Sequence, residues 1–189
     1  MSHVFVQSDE NNSLYVIDDG CFRDQSTLKY FDFTNSLIRY IGANAFRSCS
    51  NLYLTTLGEV LYGIGGTAFN SAIDDSITEF TIPGSVMYLA TNAFSNHLPN
   101  VPGLILNIGT EENKSNLLLA KRGDNGPSAI SADALKQNNK YETINFWTNQ
   151  YSAPNEKIGG STNQSVADWF ANGTLKAGGS LFVNGINNK

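Results

Sequence analysis

A glycine-rich stretch, the acid pairs Asp74–Asp75 and Glu111–Glu112, two histidines and two cysteines are the residues of this chain first weighed for chemistry. The run Gly63-Ile64-Gly65-Gly66-Thr67 offers closely spaced backbone N–H groups of the kind that cradle phosphate. It lacks the Lys-Ser/Thr ending and the strand–helix setting of a nucleotide loop, so its glycines read as packing residues. Asp74–Asp75 and Glu111–Glu112 are sequence neighbours. Neighbours on a strand point to opposite faces, so neither pair forms an acid–base dyad. His3 and His97 have no Asp, Glu or His at the spacing a metal site needs. Asp-rich calcium loops are absent, and the serines lie in no nucleophile elbow. Cys21 and Cys49 are too few for a disulfide framework or a four-thiolate zinc site, and both are expected to pack as small hydrophobes. No catalytic, metal or cofactor-binding residue is assigned, and the chain is expected not to be an enzyme.

The totals narrow the field further. With 189 residues, 41 % of them hydrophobic and 11 % aromatic, one domain with a true core is expected. The net charge of −5, from 12 basic and 17 acidic residues, and the want of any Lys/Arg run speak against nucleic acid as a partner. No apolar run approaches the ~20 residues of a membrane span, so membrane insertion is not expected. The start "MSHVFVQSDENN" has neither the basic nor the apolar region of a secretory signal. Asn11, Asn113, Asn163 and Asn172 lie in Asn-x-Ser/Thr triplets, which matter only in a glycosylating pathway.

What orders the chain is a repeat. The stretch "IGANAF" pairs Ile41 with Ala45 and Phe46, and the same offsets recur at Ile17–Cys21–Phe22, Ile64–Ala68–Phe69 and Leu89–Ala93–Phe94. The phenylalanines are 24, 23 and 25 residues apart. A weaker fifth copy, Ile130–Ala134–Leu135, follows after 41 residues, which places an insertion over 107–128. Downstream of each aromatic lies a trio spaced +3 and +5. It reads Leu28, Phe31, Phe33; Leu52, Thr55, Leu57; Ile77, Phe80, Ile82; Val101, Leu104, Leu106; and Tyr141, Ile144, Phe146. Thr55 alone departs from the apolar rule. Eight residues upstream of the aromatics stand Leu14, Ile38, Leu61 and Val86, with Pro127 in the fifth copy. The trio alternates like a strand, and the Ala-Phe piece reads as one short helical or 3-10 turn. One such unit cannot bury its apolar side alone, whereas stacked units share a core.

These linked positions resemble the BspA-like leucine-rich repeats of bacterial surface proteins, and "IGANAFRSCSNL" with the later "ITEFTIPGSV" carries the resemblance. The resemblance covers about 14–146. The fold expected is an α/β repeat, a leucine-rich-repeat solenoid of about five coils built from short strands and short helical or 3-10 turns. Residues 1–13 read as an N-terminal cap strand, with "HVFV" added to the first coil; 14–147 are the solenoid; 148–189 are a C-terminal cap or tail. In that tail Val166, Trp169, Phe170 and Leu175 are spaced for one face of a short helix, and "SLFVNG" reads as a strand. The aromatic pair either covers the end of the array or docks onto a partner.

Between the trio members the side chains are expected to face outward. They are Tyr30, Asp32 and Thr34; Leu54 and Thr56; Glu79 and Thr81; Ile105 and Asn107; and Thr143, Asn145 and Trp147. Rigid aromatics beside adaptable polar groups suit protein or glycan recognition, although a Thr-rich half-exposed sheet would look the same. The family resemblance implies a macromolecule-binding or adhesion module that engages a protein or glycan on a cell surface through its sheet face or insertion. The alternative is a structural subunit of a larger assembly, such as a phage virion or surface fibre. Localisation follows the same division: a cell surface by resemblance, a virion or the cytoplasm otherwise.

Overall fold

The computed structural model describes residues 2–6, 14–33, 35–95, 103–120, 130, 132–135, 140–159, 163–172 and 174–187. In chain order the strands are β1 His3–Phe5, β2 Val16–Ile17, β3 Tyr30–Asp32, β4 Tyr40–Ile41, β5 Gly63–Ile64, β6 Glu79–Ile82, β7 Tyr88–Leu89, β8 Ile105–Ile108, β9 Tyr141–Phe146, β10 Leu175–Val183 and β11 Ile186–Asn187. One helix, α1, spans Val166–Ala171, and a 3-10 turn spans Ala132–Ala134.

The copies build short strands and longer strands in separate parallel sheets, with the first four copies supplying the short ones. The Ile of the Ile-Gly motif forms a short strand, and these stack in the order β2-β4-β5-β7 with Ile17, Ile41, Ile64 and Leu89 in register. The trios of the third, fourth and fifth copies form β6, β8 and β9, and the C-terminal segment extends that sheet in the order β6-β8-β9-β10-β11, parallel except for the closing β10–β11 hairpin, while the first copy's trio strand β3 pairs with β1. The sequence pattern points to the trio strands. The two-residue strands are too short for a period-2 signal and were not anticipated. As expected for "HVFV", β1 lies parallel on β3, with His3 opposite Tyr30.

In the first four copies the described turn after the short strand is not helical, which corrects the expectation there, whereas the fifth copy has the expected 3-10 turn at Ala132–Ala134. Two residues around the Ala-Phe of the second and third copies take the left-handed backbone region, Asn44 and Ser48 around Phe46, Thr67 and Ser71 around Phe69. A residue at positive φ breaks the run of right-handed dihedrals a helix needs. The turns instead bond to the next copy. The N–H groups of Asn44, Phe46 and Ser48 donate to the carbonyls of Gly66, Ala68 and Asn70 at 3.0, 2.8 and 2.9 Å. The fifth copy joins the pile despite its insertion, since Phe94 N–H donates to the Ala134 carbonyl at 3.0 Å.

Inside this path runs the aromatic ladder. Phe22, Phe46, Phe69 and Phe94 stack with centroids 5.2 Å apart at every step. Phe46, Phe69 and Phe94 are fully buried, and Phe22, at the end of the pile, is half-buried. Leu14, read as a core position, is exposed at that same end, while Ile38, Leu61 and Val86 are buried as expected. Cys49 is buried and its thiol donates to the Phe22 carbonyl at 3.0 Å; Cys21 is exposed, against expectation.

The second copy departs from the rule. Leu54, expected outside, is buried, and Thr55, expected inside, is exposed. The exchange has a transfer-energy reason. An inward Thr55 would bury a hydroxyl needing a partner, whereas Leu54 gains apolar burial of roughly 1.5–3 kcal/mol. Regular pairing is lost there, leaving only a Thr56–Thr81 bridge on one side. Val101, His97 and Pro127 lie outside the described residues.

At the C-terminal end α1 begins with a capping box. Ser165 Oγ accepts from the Asp168 N–H at 3.2 Å, and Asp168 accepts from the Ser165 N–H at 2.8 Å. Trp169 and Phe170 are both buried, and Trp169 Nε1 donates to the Ala120 carbonyl at 3.1 Å. Neither ring is offered to a partner. Leu175, grouped with the helix by spacing, begins β10 instead. Within the expected insertion, Leu117, Leu119 and Ala120 are buried, and Leu119 N–H donates to Tyr151 Oη at 3.0 Å.

Candidate functional site

The outer face of the trio strands holds the residues expected to make contacts, and it divides into two halves of different chemistry. In the C-terminal half, Thr81, Asn107 and Asn145 stand in one row across β6, β8 and β9. Asn145 Nδ2 donates to Asn107 Oδ1 at 2.8 Å. Asn107 Nδ2 donates to Glu79 Oε1 at 2.6 Å and to Thr81 Oγ1 at 3.3 Å. These polar groups therefore satisfy one another across the strands. The next row sets Glu79, Ile105 and Thr143 side by side. Trp147, just past β9, is half-buried, and its ring edge lies 3.6 Å from where a Cβ on Gly185 would stand.

The N-terminal half is aromatic. Tyr30 is 44 % and Tyr53 48 % exposed, and their ring centroids are 6.0 Å apart with planes tilted by 53°. His3 stacks on the other side of Tyr30 at 4.7 Å, and Phe5 follows His3 at 6.2 Å. Beside this row opens a groove of about 950 Å3. Tyr30, Asp32, Leu54 and Thr56 all border it, so the structure gathers four of the expected residues at one place. Leu54 does so from the core side. Thr34 lies outside the described residues. Sequence reasoning missed His3, Phe5, Tyr53 and Glu59. Tyr53 had a signal, since it sits just after Leu52 as Lys29 and Tyr30 follow Leu28, and strand alternation turns it outward once Leu54 turns in.

A second exposed surface lies over the short strands. Tyr15, Val16, Tyr40, Tyr62 and Met87 are all exposed there. Gly63 lies between Tyr40 and Tyr88, and a Cβ on it would stand 3.0 Å from the Tyr40 ring and 3.4 Å from that of Tyr88. Burial, then the nearby Tyr88 and Asp19, pushes the Tyr40 hydroxyl above its ordinary range.

The residues first weighed for chemistry stay apart. Asp74 Oδ1 accepts from the Ser76 N–H at 2.9 Å and from its hydroxyl, which lowers its pKa and closes a local turn. Gly42 and Gly65 have no phosphate geometry. A Cβ on Gly65 would stand 2.5 Å from Ala43 N, so the neighbouring copy's backbone occupies the space. Among the described residues no group of His, Cys, Asp and Glu is placed to hold a metal ion, and no helix is long and apolar enough to cross a membrane.

Stacked parallel strands, a turn pile and an outward strand face define a repeat solenoid of the protein-interaction class. The chain belongs to the BspA type leucine rich repeat family, whose model matches residues 5–100 in 6 copies. The sequence spacing places four aromatic-centred copies in that range, and the fifth at Ile130–Leu135 lies beyond it. The family implies a protein-interaction or adhesion-type module and is typically non-enzymatic. Neither the curated proteins nor the solved structures yield a match to this chain.

Proposed function

We propose that this chain is a non-catalytic binding module that recognises a protein partner through the N-terminal half of its strand face. One observation carries the reading: His3, Tyr30 and Tyr53 form an exposed aromatic row beside a groove. Exposed aromatic side chains cost solvation and are enriched where proteins bind proteins, because they bring large contact area with few rotors to freeze. The C-terminal half of the face is less suited, since Thr81, Asn107 and Asn145 already share their hydrogen bonds. The described part of the insertion is anchored in the core by Leu117, Leu119 and Ala120. A structural role in a larger assembly loses one of its motives, because Trp169 and Phe170 are buried.

The test is surface plasmon resonance of the full chain against a panel of extracellular matrix proteins, run alongside a glycan array. The Tyr30→Ser/Tyr53→Ser variant is expected to bind its protein target about tenfold or more weakly, with an unchanged melting temperature. Binding to glycans alone, or protein binding that the variant leaves intact, overturns the proposal.

A further inference from the structure

The groove owes its existence to the irregular second copy. On the β3 side, the Tyr53 N–H donates to the Lys29 carbonyl at 2.7 Å. The chain then leaves the strand path as Leu54 turns in and Thr55 turns out. The copies close up again at Gly58, where a Cβ would stand 3.1 Å from Ser36 Oγ and 3.5 Å from the Phe33 carbonyl. A slot is left between these two points, floored by Phe31, Phe33 and Leu54.

Its chemistry is one-sided. Asp32 and Glu59 line it, and no Lys or Arg does so among the described residues. Glu59 Oε2 accepts from Asn113 Nδ2 at 3.0 Å, which fixes the carboxylate at the rim. Ser36 borders the closed end of the slot, where its hydroxyl is shut off from solvent beside Gly58. Over the opening stand the tilted rings of Tyr30 and Tyr53.

We propose that this slot receives an arginine side chain from a basic segment of the partner protein. The proposal rests on the strand-face reading above. An arginine matches the acidic, aromatic and apolar walls of the slot. Its methylene stem lies along the apolar floor, its planar guanidinium faces a tyrosine ring, and its N–H donors meet the carboxylates of Asp32 and Glu59. Lysine fits less well, because a compact ammonium neither stacks nor reaches several acceptors in one plane.

The test selects peptides from a random display library on the immobilised full chain, then titrates synthetic copies of the winners. Arginine-bearing peptides are expected to be enriched. Changing that arginine to citrulline, which keeps shape and removes charge, should weaken binding about tenfold or more. Asp32→Asn/Glu59→Gln should do the same, while Glu111→Gln/Glu112→Gln, an equal change of charge away from the slot, should not. Winners without basic residues that are still lost on Tyr30→Ser/Tyr53→Ser overturn the arginine slot and leave the strand face standing. Winners indifferent to the tyrosine variant, or no winners, overturn both.

Discussion

The ring of Phe69 lies on that of Phe46 with centroids 5.2 Å apart and planes 5° from parallel. A separation wider than van der Waals thickness, with nearly parallel planes, means the rings are offset, the arrangement their quadrupoles favour. The spacing between copies is set by the backbone bonds from Phe46 to Ala68 and from Phe69 to Ala93. Parallel backbone paths one strand spacing apart thus stack each ring on the next at the same distance.

Removing an inner rung should therefore cost more than its own area. Phe46 touches Phe22 and Phe69 on its faces and Phe31 edge-on at 5.0 Å. Phe46→Ala is expected to lower unfolding stability by about 3–5 kcal/mol through lost burial and a cavity. Phe5→Ser, at a ring 69 % exposed, should stay within about 0.5 kcal/mol. Urea midpoints compare the two; equal shifts would remove the ladder from the core.

Two adjacent glycines should answer differently to the same change. A Cβ on Gly65 would meet the Ala43 backbone at 2.5 Å, whereas on Gly66 it would meet nothing nearer than the Thr91 carbonyl at 3.4 Å. Gly65→Ala is expected to cost about 1–3 kcal/mol by forcing the copies apart. Gly66→Ala should be neutral or stabilising by about 0.4–1 kcal/mol, because it restricts the unfolded chain. Thermal unfolding of the two variants side by side is the measurement.

The same comparison shows what the sequence made legible. The ladder and the trio could be read because stacking repeats one apolar choice at one offset, so Ile38, Leu61 and Val86 or Phe46, Phe69 and Phe94 announce each other. The turn conformation was legible in part, because Gly20, Asn44 and Asn92, residues that tolerate a left-handed backbone, recur two places before the aromatic, while Thr67 at the same offset breaks the signal. The groove was hidden for two reasons. Its floor depends on Leu54 and Thr55 exchanging places against the repeat, and the ring of His3 reaches Tyr30 only through a parallel pairing of chain segments far apart in sequence. Relative hydrophobicity could have signalled the first; for the second, "HVFV" read as a strand on the first coil, but nothing local set His3 opposite Tyr30.

Thr67 holds φ 55°, a region that Asn tolerates and a β-branched residue does not. Asn44 and Asn92 occupy the same place in the neighbouring copies, at φ 57° and 59°. Thr67 is held there by its hydroxyl, which donates to Asn44 Oδ1 at 2.8 Å and lies 2.6 Å from the Gly66 carbonyl. Thr67→Asn keeps a polar group at the site and relieves the backbone, so stability should rise by about 0.5–1 kcal/mol. A fall in the denaturant midpoint would show that the hydroxyl contributes more than the backbone strain costs.

The two cysteines should separate cleanly by rate and by pH. Cys21 is exposed and Cys49 fully buried. A disulfide reagent at pH 8 is expected to modify Cys21 at once and Cys49 only at the rate of unfolding, since the thiolate is the reactive form and burial suppresses it. Burial pushes the Cys49 thiol from its ordinary 9.0 up to about 11. The folded chain therefore keeps a proton that the unfolded chain releases, and by linkage this favours unfolding as pH rises. The stabilisation associated with a neutral Cys49 is fully present below pH 9 and is lost between about pH 9 and 11. Cys49→Ala should be less stable at pH 7 through a small cavity, yet its stability should fall less steeply across that alkaline window. Equal alkaline slopes for the two proteins, measured by urea unfolding at several pH values, would show that Cys49 does not titrate with unfolding.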